Sequence, residues 1–106
     1  MKKVLLLLLL LSTVTQAQEN VALSWDDHAW DDYQYWMSQD KKKIVKINQL
    51  LKDILRNPFE GIGMPEPLKF QYTGFWSRRI DQKNRLIYQV LEQQVIVVKC
   101  RYHYDD

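Results

Sequence analysis

Gly74-Phe75-Trp76-Ser77-Arg78-Arg79-Ile80-Asp81-Gln82-Lys83-Asn84-Arg85-Leu86-Ile87-Tyr88-Gln89-Val90 reads as two strands around a turn. Aromatic and β-branched residues alternate with polar ones on both sides of Gln82-Lys83-Asn84, a polar trio of turn composition. Two further stretches share that composition, 68–72 before it and 95–101 after it, set off by Thr73-Gly74 and Glu92-Gln93-Gln94. Four short strands joined by short polar turns predict an antiparallel meander. The short apolar run 21–25 predicts one more strand at a sheet edge.

Upstream of the meander the period changes from two to that of a helix. Asp26 is a cap candidate, and Trp30, Tyr33 and Met37 follow at helical spacing, which predicts a first helix near 27–38. Asp40 caps a second, in which Ile44, Ile47, Leu51, Ile54 and Leu55 form one stripe while Lys41, Lys42, Lys43, Lys46 and Lys52 lie mainly elsewhere. Asn57-Pro58 ends it, because the residue before proline avoids helical geometry. All three prolines and two of the three glycines fall in 58–67, a constrained loop. The predicted fold class is therefore α+β, a helical hairpin packed on a twisted antiparallel sheet, with the tryptophans supplying much of the core.

Strand alternation then predicts which side chains share a face. With Leu68, Phe70, Trp76, Ile80, Leu86, Tyr88, Val90, Ile96, Val98 and Cys100 turned to the helices, the other face gathers Lys69, Arg79, Arg85, Lys99 and Arg101. Arg78 has the inward parity, so it is expected to snorkel past the sheet edge or to pair locally.

Residues 1–17 do not read as part of this fold. Lys2-Lys3, an apolar run from Val4 to Leu11 and the small polar stretch to Ala17 have the layout of a secretory signal. Eight apolar residues are too few to span the roughly 30 Å hydrocarbon core as a helix, so no membrane span is expected. Residues 18–106 suffice for one domain with one core. Cys100 is the only cysteine, which excludes an intrachain disulfide. No set of Cys, His, Asp and Glu has metal-ligand spacing, and no cofactor is implied.

Charge is segregated along this domain. Residues 18–40 carry six acidic side chains and no lysine or arginine, whereas 41–104 carry thirteen bases against five acids, a distribution that suits a polyanionic partner. Within the basic part, Glu66, Lys69, Arg79, Arg85 and the run Arg101-Tyr102-His103-Tyr104 combine a carboxylate, a set of cations and a histidine beside tyrosines. That combination has the chemistry to cleave RNA without a metal. A base and an acid acting on one phosphodiester need opposite protonation states at one pH. Arginine offers a planar fork of donors to phosphoryl oxygens. The same residues also fit a blander reading, with Glu66 a solvated loop carboxylate, Arg79 and Arg85 paired at the surface with Asp81, Glu92 or Asp53, and Lys41 to Lys43 a solvated helix face.

Trp30-Asp31-Asp32-Tyr33, Pro58-Phe59-Glu60-Gly61 with Pro65-Glu66-Pro67-Leu68-Lys69, Gly74-Phe75-Trp76-Ser77-Arg78-Arg79-Ile80, Arg85-Leu86 and Cys100-Arg101-Tyr102-His103-Tyr104 together resemble the YoeB/Txe toxins of the RelE superfamily. The match runs from residue 21 to residue 104 in order. The resemblance implies a RelE-like, microbial-RNase-like fold and a toxin of a type II toxin-antitoxin system that cleaves mRNA in the ribosomal A site, leaving a 2′,3′-cyclic phosphate. It implies Glu66 as general base, His103 as general acid, Arg85 as stabiliser of the transition state and Tyr104 as an orienting aromatic. Lys69, Arg79 and Arg101 would be substrate-binding cations. It further implies a YefM/Phd-type antitoxin as partner, a homodimer, and a cytoplasmic site of action, against which the leader-like residues 1–17 suggest export. Met64 stands where relatives commonly carry lysine, and Asp105-Asp106 follow the tyrosine at which they usually end. The competing classes are a catalytically weak antitoxin partner and co-repressor, and an exported RNase.

Overall fold

The computed structural model describes residues 21–103. The leader-like segment and Tyr104 lie outside the described residues. Strand β1 (Ala22–Trp25) leads into helix α1 (Asp27–Gln39), and helix α2 (Lys41–Arg56) follows after a single residue. Both caps are aspartates, as the sequence predicts. Asp26 accepts from the Ala29 amide and Asp40 from the Lys42 amide, meeting donors that a helix start leaves without intrahelical partners. Asp40 also closes α1, its own amide donating to the Trp36 carbonyl. One residue therefore serves both helices and sets the hairpin.

The remaining strands are β2 (Glu66–Pro67), β3 (Phe75–Arg79), β4 (Arg85–Leu91) and β5 (Gln94–Lys99), in the spatial order β1-β5-β4-β3-β2. The meander β2 to β5 is antiparallel, as expected, and β1 takes the edge beside β5. That edge strand runs parallel to β5, which makes the sheet mixed. A parallel neighbour requires a long connection, and the hairpin with the meander supplies one between β1 and β5. Ile47, Leu50, Leu51 and Ile54 of α2 and Ala29 and Trp36 of α1 close on Ile80, Leu86, Tyr88, Val95, Val97 and Cys100 of the sheet side. Among the tryptophans, Trp36 is buried while Trp30 keeps 47% of its surface exposed, stacked on Tyr33 beside Trp25.

Three local readings are corrected. The stretch 68–72 is not a strand. Pairing stops at Pro67, and Phe70–Tyr72 forms a single 3₁₀ turn entered from Lys69. Leu68 is buried apart from the helix-covered core, and Phe70, expected inside, is 86% exposed. In β5 the inward residues are Val95 and Val97 rather than Ile96 and Val98. Tyr88 pairs with Val97 and Ile87 with Lys99, so Val98 is an extra residue in a β-bulge, and the bulge resets the alternation so that Cys100 points inward as predicted. Arg78 does not snorkel. It is fully buried and bonds to Asp53, 25 residues away, at 2.5 Å.

Candidate functional site

The face of the sheet turned from the helices is organised in rows. Glu66 lies opposite Ser77, Ser77 opposite Ile87, and Ile87 opposite Lys99, so these four occupy one line across β2 to β5. Arg79 and Arg85 face each other two residues further along the same side. With strands about 4.8 Å apart and about 6.7 Å per two residues, the backbones of Glu66 and Arg85 are about 12 Å apart. Their long side chains can meet over one phosphate group. The expected clustering of Arg79, Arg85 and Lys99 on one face is thus observed.

Arg101 departs from that prediction. Its guanidinium lies 3.4 Å from the centre of the Tyr35 ring and 4.4 Å from that of Tyr102. It lies against a residue of α1 and one of the tail, because β5 ends at Lys99 and strand alternation no longer applies beyond it.

Arg85 is anchored at one end. Its Nη1 donates to the carbonyls of Asp81 (2.7 Å), Gln82 (3.2 Å) and Asn84 (3.2 Å) in the β3–β4 turn. Among the described residues its Nε and Nη2 have no acceptor, and these two nitrogens form the edge of a guanidinium that suits bidentate contact with an anion. Neither Arg79 nor Arg85 takes the surface carboxylates that were the alternative partners. Asp81 pairs with Lys43 at 2.6 Å, and Asp53 is held by Arg78. Burial acts to raise the Asp81 carboxyl, but Lys43, the Asn84 side chain and the amides of Asn84 and Lys83 prevail and hold it well below the usual carboxylate range. Lys43 is therefore a clamp between α2 and the turn, which the expectation of a solvated helix face missed.

The loop before Glu66 is fixed by Arg78. Nε donates to the Tyr88 hydroxyl (3.1 Å), Nη1 to Asp53 and the Ile62 carbonyl (3.1 Å), and Nη2 to the carbonyls of Asn57 (2.7 Å) and Glu60 (3.0 Å). Five donors thus meet five acceptors. The Arg79 amide adds a bond to the Gly63 carbonyl at 2.7 Å. Gly63 has φ +81°, and a Cβ there would lie 2.6 Å from Leu50 Cδ2, so the loop needs glycine at that point.

The segment that carries His103 is pinned just as closely. The Asp32 carboxylate accepts from the Cys100 amide (3.0 Å), and Trp36 Nε1 donates to the Cys100 carbonyl (2.8 Å). The Tyr102 amide donates to Asn84 Oδ1 (2.7 Å), its carbonyl accepts from the Arg85 amide (3.0 Å), and Lys99 Nζ donates to the His103 carbonyl. Burial raises the Asp32 carboxyl, and the Cys100 amide opposes this. Asp32, Trp36, Asn84 and Arg78 were not identified as site-building residues from sequence, since each acts through a partner at least 18 positions away. Only the conjunction of a buried parity with a charged side chain at Arg78 was a usable signal.

Glu66 and Lys69 are exposed and line a recess of about 350 Å³ with Pro67, Leu68 and Phe70 to Tyr72. Among the described residues no group of three or more Cys, His, Asp and Glu is placed to hold a metal ion. No helix among them is long and apolar enough to cross a membrane.

Comparison with known proteins matches residues 25–104 to the family model of the YoeB-like toxin of bacterial type II toxin-antitoxin systems. The chain belongs to the YoeB-like toxin family. Toxin YoeB of Escherichia coli K12 is 52% identical over 82 residues, covering 77% of this chain and 98% of that relative. The solved YoeB dimer from Staphylococcus aureus superposes with a TM-score of 0.75 at 44% identity, over 80% of this chain and 99% of that one. The heterotetrameric YoeB-YefM toxin-antitoxin complex from the same organism gives 0.73 at 45% identity, over 79% and 98%. The helical hairpin and five-stranded sheet of this chain thus superpose on solved YoeB structures over most of their length.

Proposed function

We propose that this YoeB-like toxin is an endoribonuclease that cuts mRNA in the ribosomal A site by attack of the ribose 2′-hydroxyl. Glu66 takes the 2′-hydroxyl proton as the O2′–P bond forms. Arg85, through Nε and Nη2, stabilises the charge that builds on the phosphoryl oxygens. His103 delivers a proton to the 5′-oxygen as the P–O5′ bond breaks, leaving a 2′,3′-cyclic phosphate and a 5′-hydroxyl. Lys69 and Arg79 attract the RNA backbone, and Tyr104 orients the substrate. Arg101 contributes charge from its place against Tyr35 and Tyr102. The observation that supports the reading is that Glu66, Arg79 and Arg85 occupy adjoining rows of one sheet face, and that Lys99, in the Glu66 row, holds the His103 carbonyl.

The partners proposed are an antitoxin of the YefM type and a second copy of the chain, as in the S. aureus structures. An acidic antitoxin tail suits the basic face. The test is cleavage of a defined message on programmed ribosomes, mapped by primer extension, for wild type, Glu66→Ala and His103→Ala. Loss of cutting in both variants with native folding is expected. Equal cutting by all three would remove the mechanism, and equal cutting of naked RNA would remove the ribosome from it.

A further inference from the structure

Phe70 is the largest anomaly on this surface. It is a phenylalanine with 86% of its area in water, far more than any other large apolar side chain among the described residues. Its backbone has φ +57°, a left-handed conformation that costs a bulky residue about 1–2 kcal/mol and that glycine would occupy freely. The turn nonetheless holds it there. The Phe70 carbonyl accepts from the Thr73 amide (3.1 Å) and the Thr73 hydroxyl (2.7 Å), and the Tyr72 amide donates to the Lys69 carbonyl (3.1 Å). A strained backbone that delivers an aromatic ring to solvent gains nothing for folding.

The surroundings indicate what the ring meets. Phe70 borders the recess that also contains Glu66 and Lys69, with Lys69 adjacent in sequence. A cation beside an exposed ring, next to the carboxylate assigned to the 2′-hydroxyl, is a site for one nucleotide, its phosphate at the cation and its base on the ring. We infer that Phe70 is a substrate-positioning platform on which an unpaired RNA base next to the scissile phosphate stacks. The inference rests on the nuclease reading. Stacking tolerates any base, since every base has a π face. Phe70 therefore fixes where the strand lies and leaves the choice of sequence to other contacts.

The test compares Phe70→Ala, Phe70→Leu, Phe70→Trp and Phe70→Gly with wild type, in cleavage of a message on programmed ribosomes with kcat and KM separated. A short single-stranded RNA carrying 2-aminopurine is titrated in parallel with the Glu66→Ala protein, with and without Phe70→Leu. Ala and Leu are expected to lose about tenfold or more in kcat/KM, in line with the worth of one base on an aromatic ring, while Trp retains activity. Gly should lose activity like Ala but melt higher than wild type, because it relieves the positive φ. Quenching of 2-aminopurine should disappear with Phe70→Leu. Cleavage by the Leu variant equal to wild type overturns the proposal, as does weakened binding of a YefM-type antitoxin with cleavage unchanged. If Glu66→Ala itself cuts normally, the nuclease mechanism fails instead, and the 2-aminopurine titration still decides the stacking.

Discussion

Replacing Arg78 by methionine tests the central argument about how the site is built. The guanidinium is fully buried with each of its five N–H groups matched to an acceptor, four of them on uncharged oxygens: the Tyr88 hydroxyl and the carbonyls of Asn57, Glu60 and Ile62. At roughly 1 kcal/mol net per bond, their loss costs about 4 kcal/mol. The Asp53 contact is left out of this sum, because methionine also removes the cost of burying the guanidinium charge, which offsets the attraction, and Asp53 keeps the Ile62 amide. Methionine fills most of the volume, so the cavity contribution is small. Against a typical total of about 5–15 kcal/mol, such a loss should lower the melting temperature by about 15–30 °C for a domain of this size. Urea unfolding followed by tryptophan fluorescence, with unchanged m-value, measures it. Arg78→Lys should fall between, since three donors on one nitrogen cannot serve oxygens from four residues of the loop and β4. A loss below about 1 kcal/mol for methionine, or a lysine variant equal to wild type, would refute the view that this arginine holds the 58–63 loop and, through it, Glu66.

Other consequences are smaller in scale. Asn84→Ala removes the acceptor of the Tyr102 amide together with the side-chain bonds to Asp81; hydrogen exchange at Tyr102 should accelerate, RNA cleavage fall several-fold and the melting temperature fall by a few degrees, on the order of 1 kcal/mol. Cys100 is fully buried and burial pushes its thiol pKa far up, so a thiol reagent such as DTNB should label the native protein only at the rate of unfolding and one equivalent at once in denaturant. The Asp81 carboxyl titrates below its unfolded value near 3.9. Its stabilisation is therefore fully present above about pH 4 and is lost as pH falls toward the native value. Asp81→Asn should lower stability at pH 7 and flatten the acid limb of a stability–pH curve, whereas a parallel curve would exclude this role. Gly63→Ala should destabilise by about 1 kcal/mol or more through both the positive φ and the contact with Leu50, as measured by the urea midpoint.

Much of the molecule could be read from the chain by itself because the responsible forces are local. Helix caps at Asp26 and Asp40, the apolar stripe of α2 and the alternation around Gln82-Lys83-Asn84 are properties of neighbours in sequence. They determined the hairpin, the antiparallel meander and the common face of Arg79, Arg85 and Lys99. The ionisable set and its family resemblance were likewise legible. What the chain could not disclose depends on partners distant in sequence. One extra residue at Val98 reversed the parity of β5, and the direction of β1 was fixed only by where β5 lies. Lys43 found Asp81, and Arg101 left its expected face for Tyr35. The burial of Arg78 needed acceptors from Asn57, Glu60, Ile62 and Tyr88 gathered around one side chain. A charged group enters a core only when tertiary structure supplies its hydrogen bonds, and alternation carries no information about whether it will. The same limit applies to Phe70. Its place in the sequence suggested an inward strand residue, and only the turn that ends β2 at Pro67 put the ring in solvent beside Glu66 and Lys69.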